Sequence, residues 1–398
     1  MTDLPFEIDA AGKGPLGMPA PQFLQDYWQK RPLLIRNALE DFQSPLEPED
    51  LAGLACEELA LSRLIAHNPE TDEWSVENGP FPEERFPGMP DHDWTLLVQD
   101  VDKWDPDVAD ILNAFDFLPR WRIDDIMISF AATGGNVGAH VDHYDVFLLQ
   151  GLGQRRWQID ASESMGQSKP DLAFRDDVDI KLLRTFNSTH EWTLNPGDML
   201  YLPPEVPHHG IAVNPCLTYS VGMRAPSRAD LIADFADQLA ARQDEDQRYV
   251  DPDLQVQADA REIDAQAIAR VRTAMRSLLE SPPDALAQWF GQYITSYRNA
   301  GEIVPSEERP DRTAMDIALR GGLELHRHPF SNMAWMRLED DRALLFFNGD
   351  AIPLTATDAA ALAHADVLTG AEWVALGDGA KDALPTLFAA GQYALVKP

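Results

Sequence analysis

Residues 123–159 read IDDIMISFAATGGNVGAHVDHYDVFLLQGLGQRRWQI. Short aliphatic and β-branched runs alternate here with the turn signals Gly134-Gly135 and Gly151-Leu152-Gly153, the pattern of strands joined by tight turns. Between the turns stands His140-Val141-Asp142. Side chains two apart on an extended strand point to the same side, so His140 and Asp142 can reach one ion while His143 points away. A second stretch, Gly197 to Gly210 (GDMLYLPPEVPHHG), supplies a turn, a strand, a proline-stiffened corner and then His208. Such a corner fixes where a histidine points, as a metal ligand requires, with its neighbour His209 pointing away. Two histidines and one carboxylate are the donor set that holds Fe(II) on one face and leaves the other open. A bland reading of His140 and His208 is a pair of hydrogen-bonded barrel histidines.

Arg155 follows the Gly151-Leu152-Gly153 turn. Trp157 and Ile159 share its strand face, so Arg155 rather than Arg156 is expected to point inward, placed to bind a carboxylate with both arms of its guanidinium. Asp145 could substitute for Asp142 as the carboxylate ligand, but it falls on the opposite strand face from His140. Asp142 is therefore preferred.

The strand pattern extends on both sides. Strands are expected at Leu33–Arg36, Trp94–Val98, Asp125–Phe130, Asp142–Gln150, Arg155–Ile159, Glu191–Leu194, Met199–Leu202 and Leu217–Met223. Many short strands with glycine turns indicate a sandwich or barrel rather than a parallel sheet. Upstream, a short helix from Phe23 breaks at Pro32, and apolar residues at Leu51, Leu54, Leu59, Leu61 and Leu64 predict a helix over 51–64. The proline-rich stretch beginning at Asn68 reads as loop and hairpin.

The pattern changes after Ala225-Pro226. Ser227 is placed to cap a helix carrying Leu231, Ile232, Phe235 and Leu239 on one face. A second helix runs through Ile263, Ile268, Val271, Met275 and Leu278. A third opens at Ser281-Pro282 and carries Leu286, Trp289, Phe290, Tyr293 and Ile294. From about Asp311 short strands (Leu344–Phe347, Tyr393–Val396) mix with two small helices near Ala359 and Lys381, which fits a winged-helix-like module with a two-stranded wing.

With 398 residues, two or three domains are expected. The 32 Lys and Arg against 66 Asp and Glu leave a net charge of -34. Such a field repels nucleic acid and attracts basic partners, although solubility or salt adaptation would produce it too. Only Cys56 and Cys216 are present, so neither a disulfide framework nor a cysteine zinc site is indicated. No apolar run has the length of a membrane span and no signal peptide is visible at the N-terminus, so a cytoplasmic protein is expected.

The blocks at 123–159 and 197–210, with TYSVGMRAP and the N-terminal DYWQKRPLLIRNA, resemble the bacterial JmjC-type ribosomal oxygenases, which hydroxylate an arginine of large-subunit ribosomal protein sixteen. The resemblance implies a mainly β double-stranded β-helix (JmjC/cupin barrel) at 1–226 with its core at about 93–226. It also implies an α-helical dimerisation region at 227–304 and a winged-helix-like α+β domain at 305–398. It implies Fe(II) held by His140, Asp142 and His208, and 2-oxoglutarate with its distal carboxylate on Arg155 and Ser129. With O2 the expected products are hydroxyarginine, succinate and CO2. Tyr144 would line the substrate entrance or pack as a barrel tyrosine. Thr218 stands where the family pattern suggests Asn. A homodimer through the aromatic face of Trp289, Phe290 and Tyr293 is expected, with no nucleic-acid or membrane partner. Competing readings are a JmjC oxygenase with another target (histidine hydroxylation or lysine demethylation), a metal-binding cupin without oxygenase activity, and a DNA-binding regulator.

Overall fold

The computed structural model describes residues 4–167, 170–241, 249–252, 254, 263, 265–279, 283–296 and 303–398. The chain divides into two compact units, residues 1–225 and 226–398. The first carries twelve described strands: β1 Glu7–Asp9, β2 Leu33–Arg36, β3 Ser62–Asn68, β4 Glu73–Asn78, β5 Trp94–Val98, β6 Ile123–Ala131, β7 Val146–Leu152, β8 Arg155–Ile159, β9 His190–Leu194, β10 Met199–Leu202, β11 His208–Ala212 and β12 Cys216–Met223. A nine-stranded sheet has the order β1-β2-β10-β7-β12-β6-β5-β3-β4, and a three-stranded sheet the order β11-β8-β9. All pairings are antiparallel except β1 with β2.

Side-chain alternation shows how the sheets stack. Val146, Leu148, Leu200 and Leu202 of the large sheet cluster with Trp157, Ile159 and Leu194 of the small one, so the two sheets face each other across a shared core. The alternate residues Phe147, Leu149, Met199 and Tyr201 pack on the other face against Phe23, Tyr27 and Phe115 from the helical layer. The central strands are thus buried on both sides, which is why they read as continuous apolar runs rather than alternating ones. This is the barrel expected from the sequence.

Three features of this first unit differ from the sequence reading. The helix predicted over 51–64 spans only Pro48–Leu54, where the Asp50 carboxylate accepts from the Glu47 N–H to cap its start. Leu59 and Leu61 are exposed and β3 begins at Ser62, so the leucine spacing there was a coincidence of a turn and a strand start. The strand predicted from Asp142 begins only at Val146. Finally, β11 was not foreseen, because Pro207 and two histidines conceal its alternation.

In the second unit, Ser227 accepts from the Asp230 N–H and opens a helix at Arg228–Ala241, followed by helices at Ala265–Leu279 and Pro283–Ser296. Ile263 precedes the second helix, and the expected start of the third at Ser281-Pro282 lies outside the described residues. The C-terminal part holds β13 Glu324–Arg327, β14 Met333–Arg337, β15 Arg342–Phe347, β16 Asp350–Thr355, β17 Val367–Leu368 and β18 Tyr393–Val396. They form two three-stranded sheets, β17-β13-β18 and β14-β15-β16, rather than a single two-stranded wing. Helices at Arg312–Arg320, Ala356–His364, Gly370–Ala375 and Asp378–Ala389 close the core around Leu345, Trp373 and Leu384.

The aromatic stripe also belongs to a core. Trp289 packs on Phe235 at 4.7 Å and donates its indole N–H to Asp234, and Tyr293 stacks on Trp289 at 5.4 Å. Trp289 and Tyr293 are 5% and 9% exposed and Phe290 is half-buried, so most of the stripe is covered within its own unit.

Candidate metal and cosubstrate site

His140 leaves the glycine turn and forms a two-hydrogen-bond bridge with His208 at the start of β11: His140 N donates to His208 O (3.1 Å) and His208 N to His140 O (3.0 Å). Asp142 lies beyond the ladder, its carbonyl accepting from the Glu205 N–H at 2.7 Å. His140 and Asp142 thus share an ion-facing side through this bridge and the following turn, not through a continuous strand. Gly138 makes the approach possible. Its φ is +77°, and a Cβ there would stand 2.5 Å from Leu182.

One ligand atom from each of His140, Asp142 and His208 lies within 4.8 Å of the other two, the only such cluster of three or more potential donors among the described residues. The imidazole rings are 4.2 Å apart, and His208 Nε2 stands 3.6 Å from Asp142 Oδ2. Both rings are oriented by backbone carbonyls: Nδ1 of His140 faces Gly138 O at 3.0 Å, and Nδ1 of His208 faces Val206 O at 2.9 Å. A proton on each Nδ1 satisfies those carbonyls and leaves Nε2 with a free lone pair, as a metal-bound imidazole requires. Burial, then the nearby His140 ring, push His208 down to about 4, so it is a neutral ligand at pH 7. Two neutral nitrogens and one carboxylate oxygen fit a first-row divalent transition metal better than Ca2+ or Mg2+, which prefer oxygen alone. The residues therefore fit such an ion.

His143 is exposed, and His209 turns to the opposite side of β11 from His208, its Nε2 3.2 Å from Asn136 Oδ1. Asn136 was not singled out in the sequence. Its amide donates to Gly134 O (2.9 Å) and its oxygen accepts from Gly138 N (3.0 Å), so it ties together the turn that delivers His140. An Asn between turn glycines was the available signal. Asp145 is wholly buried and bonded to Tyr201 and Gln29.

Inside the barrel Arg155 is 2% exposed, with Arg156 turned outward to a half-buried position. Arg155 Nη1 donates to Ser129 Oγ (3.1 Å) and Thr218 Oγ1 (3.4 Å), Nη2 donates to Gly210 O (3.2 Å), and Nε has no partner. Every partner is neutral, and burial pulls the guanidinium pKa down. A buried cation with an unused donor is a receptor for an anion. Thr218, in turn, donates to Gln150 Oε1 (3.2 Å), so it takes part in holding this cluster. Gly210 keeps the space open, since a Cβ there would press on Trp157 and Arg155.

The same inward faces continue away from Arg155. On β6 the row is Ser129, Met127, Asp125; on β12 it is Thr218, Ser220, Gly222, with Thr218 opposite Ser129 and Ser220 opposite Met127. A Cβ at Gly222 would lie 3.4 Å from Asp125 Oδ1 and 3.8 Å from Tyr144 Cε2, so the missing side chain leaves a gap between that carboxylate and that ring. Burial, then repulsion from Asp100, raise Asp125 to about 7. Asp125 was not recognised in the sequence because nothing local marks an acid at a strand start as inward-facing.

Comparison with known proteins accords with this geometry. A JmjC domain model matches residues 110–231, a ROXA-like winged helix model residues 274–390, and an AraC-like ligand binding domain model residues 186–286. The chain is 37% identical over 332 residues to the ribosomal protein uL16 3-hydroxylase of Escherichia coli K12, covering 83% of this chain and 85% of that one. The chain belongs to the JmjC ribosomal oxygenase family. A probable ribosomal oxygenase of Haemophilus influenzae is 41% identical over 213 residues, 53% of this chain and 50% of that protein. The crystal structure of E. coli YcfD superposes on this ribosomal oxygenase with a TM-score of 0.84 at 33% identity, covering 95% of this chain and 98% of that one. YcfD has also been solved with cobalt and 2-oxoglutarate, with TM-score 0.80, 34% identity and the same coverages. Among the described residues of this oxygenase, no helix is long and apolar enough to cross a membrane.

Proposed function

We propose that this chain is an Fe(II)- and 2-oxoglutarate-dependent dioxygenase that hydroxylates an arginine side chain of ribosomal protein uL16. Fe(II) would be held by His140 Nε2, Asp142 and His208 Nε2. The distal carboxylate of 2-oxoglutarate would pair with Arg155 and Ser129. The metal and cosubstrate, when bound, supply oxidative decarboxylation to succinate and CO2 coupled to transfer of one atom of O2 to the substrate. The chain's own residues do the rest. Arg155 gains the anion it lacks, Ser129 and Thr218 fix its fork, and the apolar wall of Val146, Leu148 and Trp157 keeps water from the reacting centre.

The observation that carries the arginine reading is the gap at Gly222. A planar cation entering beside Gly222 would meet both the Tyr144 ring and the Asp125 carboxylate, and would favour the charged form of Asp125. The net charge of -34 favours a basic ribosomal protein as substrate and disfavours nucleic acid. We place the reaction in the cytoplasm, where ribosomal proteins are made. We assign residues 1–226 to catalysis, 227–304 to dimerisation and 305–398 to the winged-helix-like domain. Support for a homodimer comes from Ile268, Val271 and Met275, exposed on one face of the Ala265–Leu279 helix, in place of the buried aromatic stripe.

The test is mass spectrometry of large-subunit ribosomal proteins after incubation with the enzyme, Fe(II), 2-oxoglutarate and air, alongside Asp142→Ala. One added oxygen on a uL16 arginine, absent with the variant, is expected. Oxidation of a histidine, or loss of a lysine methyl group, would replace the substrate class. If neither oxidation nor cosubstrate turnover occurs, only a metal-binding barrel remains.

A further inference from the structure

Between the His140 bridge and the start of β7 at Val146, five residues cross from one to the other without a ladder, and two of them are Asp142 and Tyr144. Something must fix the far end of this crossing. Asp145 does so. Its carboxylate is 0% exposed, Oδ1 accepts from Tyr201 Oη (2.7 Å), and Oδ2 accepts from Gln29 Nε2 (2.8 Å) with Arg122 Nη2 at 3.4 Å. Its backbone carbonyl accepts from Met223 N at 3.1 Å, beside the Gly222 gap. Gln29 closes the circuit, because its own backbone N–H donates to Tyr201 Oη at 2.8 Å.

Two features set this network apart from ordinary core packing. Gln29 has a φ of 54°, a left-handed conformation that a residue with a side chain rarely takes, and that conformation goes with its two bonds to Tyr201 and Asp145. The surroundings are aromatic: Trp28 stacks on Tyr201 at 5.8 Å and on Phe147 at 6.3 Å, and Phe23 meets Tyr201 at 5.0 Å. An apolar residue at position 145 would fill such a place with less desolvation cost than a carboxylate. A carboxylate with directional donors instead fixes one position and one orientation.

We infer that Asp145, Tyr201 and Gln29 are positioning residues, through which the N-terminal segment sets where the Asp142 carboxylate and the Tyr144 ring stand. The inference rests on the metal-site reading above. It assigns a role to the DYWQKRP segment, which supplies none of the proposed metal or cosubstrate ligands.

The test uses full-length apo-protein, Co(II) titration followed by visible absorption, and the molar ratio of succinate to hydroxylated product, in wild type, Tyr201→Phe and Gln29→Met. Gln29 is otherwise solvent-exposed, so its variant keeps the core if Tyr201→Phe fails to fold. Loss of these hydrogen bonds, two in Tyr201→Phe and one in Gln29→Met, should weaken Co(II) binding about fivefold or more and raise the succinate-to-product ratio, with KM for 2-oxoglutarate within about twofold of wild type. Should both variants bind Co(II) as tightly as wild type with an unchanged ratio, the network is structural and the inference is overturned, whatever happens to Tm. Failure of the wild type to bind Co(II) would overturn the metal reading itself, and the inference with it.

Discussion

Replacing Arg155 with Met separates stability from function. In the absence of ligand the guanidinium is buried among neutral oxygens at 3.1, 3.2 and 3.4 Å, with Nε unpaired. Burying a cation costs several kcal/mol, and three long bonds to neutral acceptors return about 1 kcal/mol each, so the charge is close to a net liability. Met fills similar volume without the charge, but leaves Ser129 and Gly210 short of a partner at about 1 kcal/mol each. The terms nearly cancel. The unliganded N-terminal unit should therefore melt within about 3 °C of wild type, an interval of about 1 kcal/mol for a domain of this size. Cosubstrate binding should respond very differently. Losing a buried guanidinium–carboxylate pair costs about 3–4 kcal/mol, or roughly 10²–10³-fold in Kd. At a hundredfold excess over its wild-type Kd, 2-oxoglutarate should stabilise the metal-loaded wild type by about 2.7 kcal/mol, and leave Arg155→Met unmoved. Differential scanning calorimetry with and without 2-oxoglutarate reads both quantities. A variant that melts more than about 8 °C low, or that keeps the ligand-induced shift, would refute the account of Arg155 as an unsatisfied anion receptor.

The substrate end of the barrel makes separate predictions. Because Asp125 is held near 7, it is neutral below that pH and charged above, so KM for an arginine peptide should rise as pH falls from 8 to 6. Asp125→Asn should raise KM about tenfold at pH 8 and flatten that dependence, read from initial rates across the range. Gly222→Ala meets only ordinary contacts at 3.4 and 3.8 Å, so it should fold normally yet raise peptide KM by filling the gap, while uncoupled 2-oxoglutarate turnover persists. Sedimentation should give a dimer at micromolar concentration that Val271→Glu converts to monomer; an unchanged dimer would move the interface elsewhere.

The barrel and the change of pattern at Ala225-Pro226 were legible in the sequence, and glycine turns and a proline corner brought His140, Asp142, Arg155 and His208 forward as candidates, because each of these signals is local. The sequence also placed Ser129 near Arg155, through resemblance rather than spacing. What depends on residues distant in the chain came from the folded arrangement alone. His140 and Asp142 share a side because a bridge to His208 and a bond from Glu205 hold them, not because a strand runs through both. Asp145 and Asp125 look alike as letters. Folding buries the first against Tyr201 and Gln29 from remote segments, and leaves the second facing a gap made by Gly222. The stripe of Trp289 and Tyr293 has the spacing of an interface, yet Phe235 packs on Trp289 and both rings are buried. Periodicity tells which side chains share a face; which surface covers that face is set by the packing of distant segments.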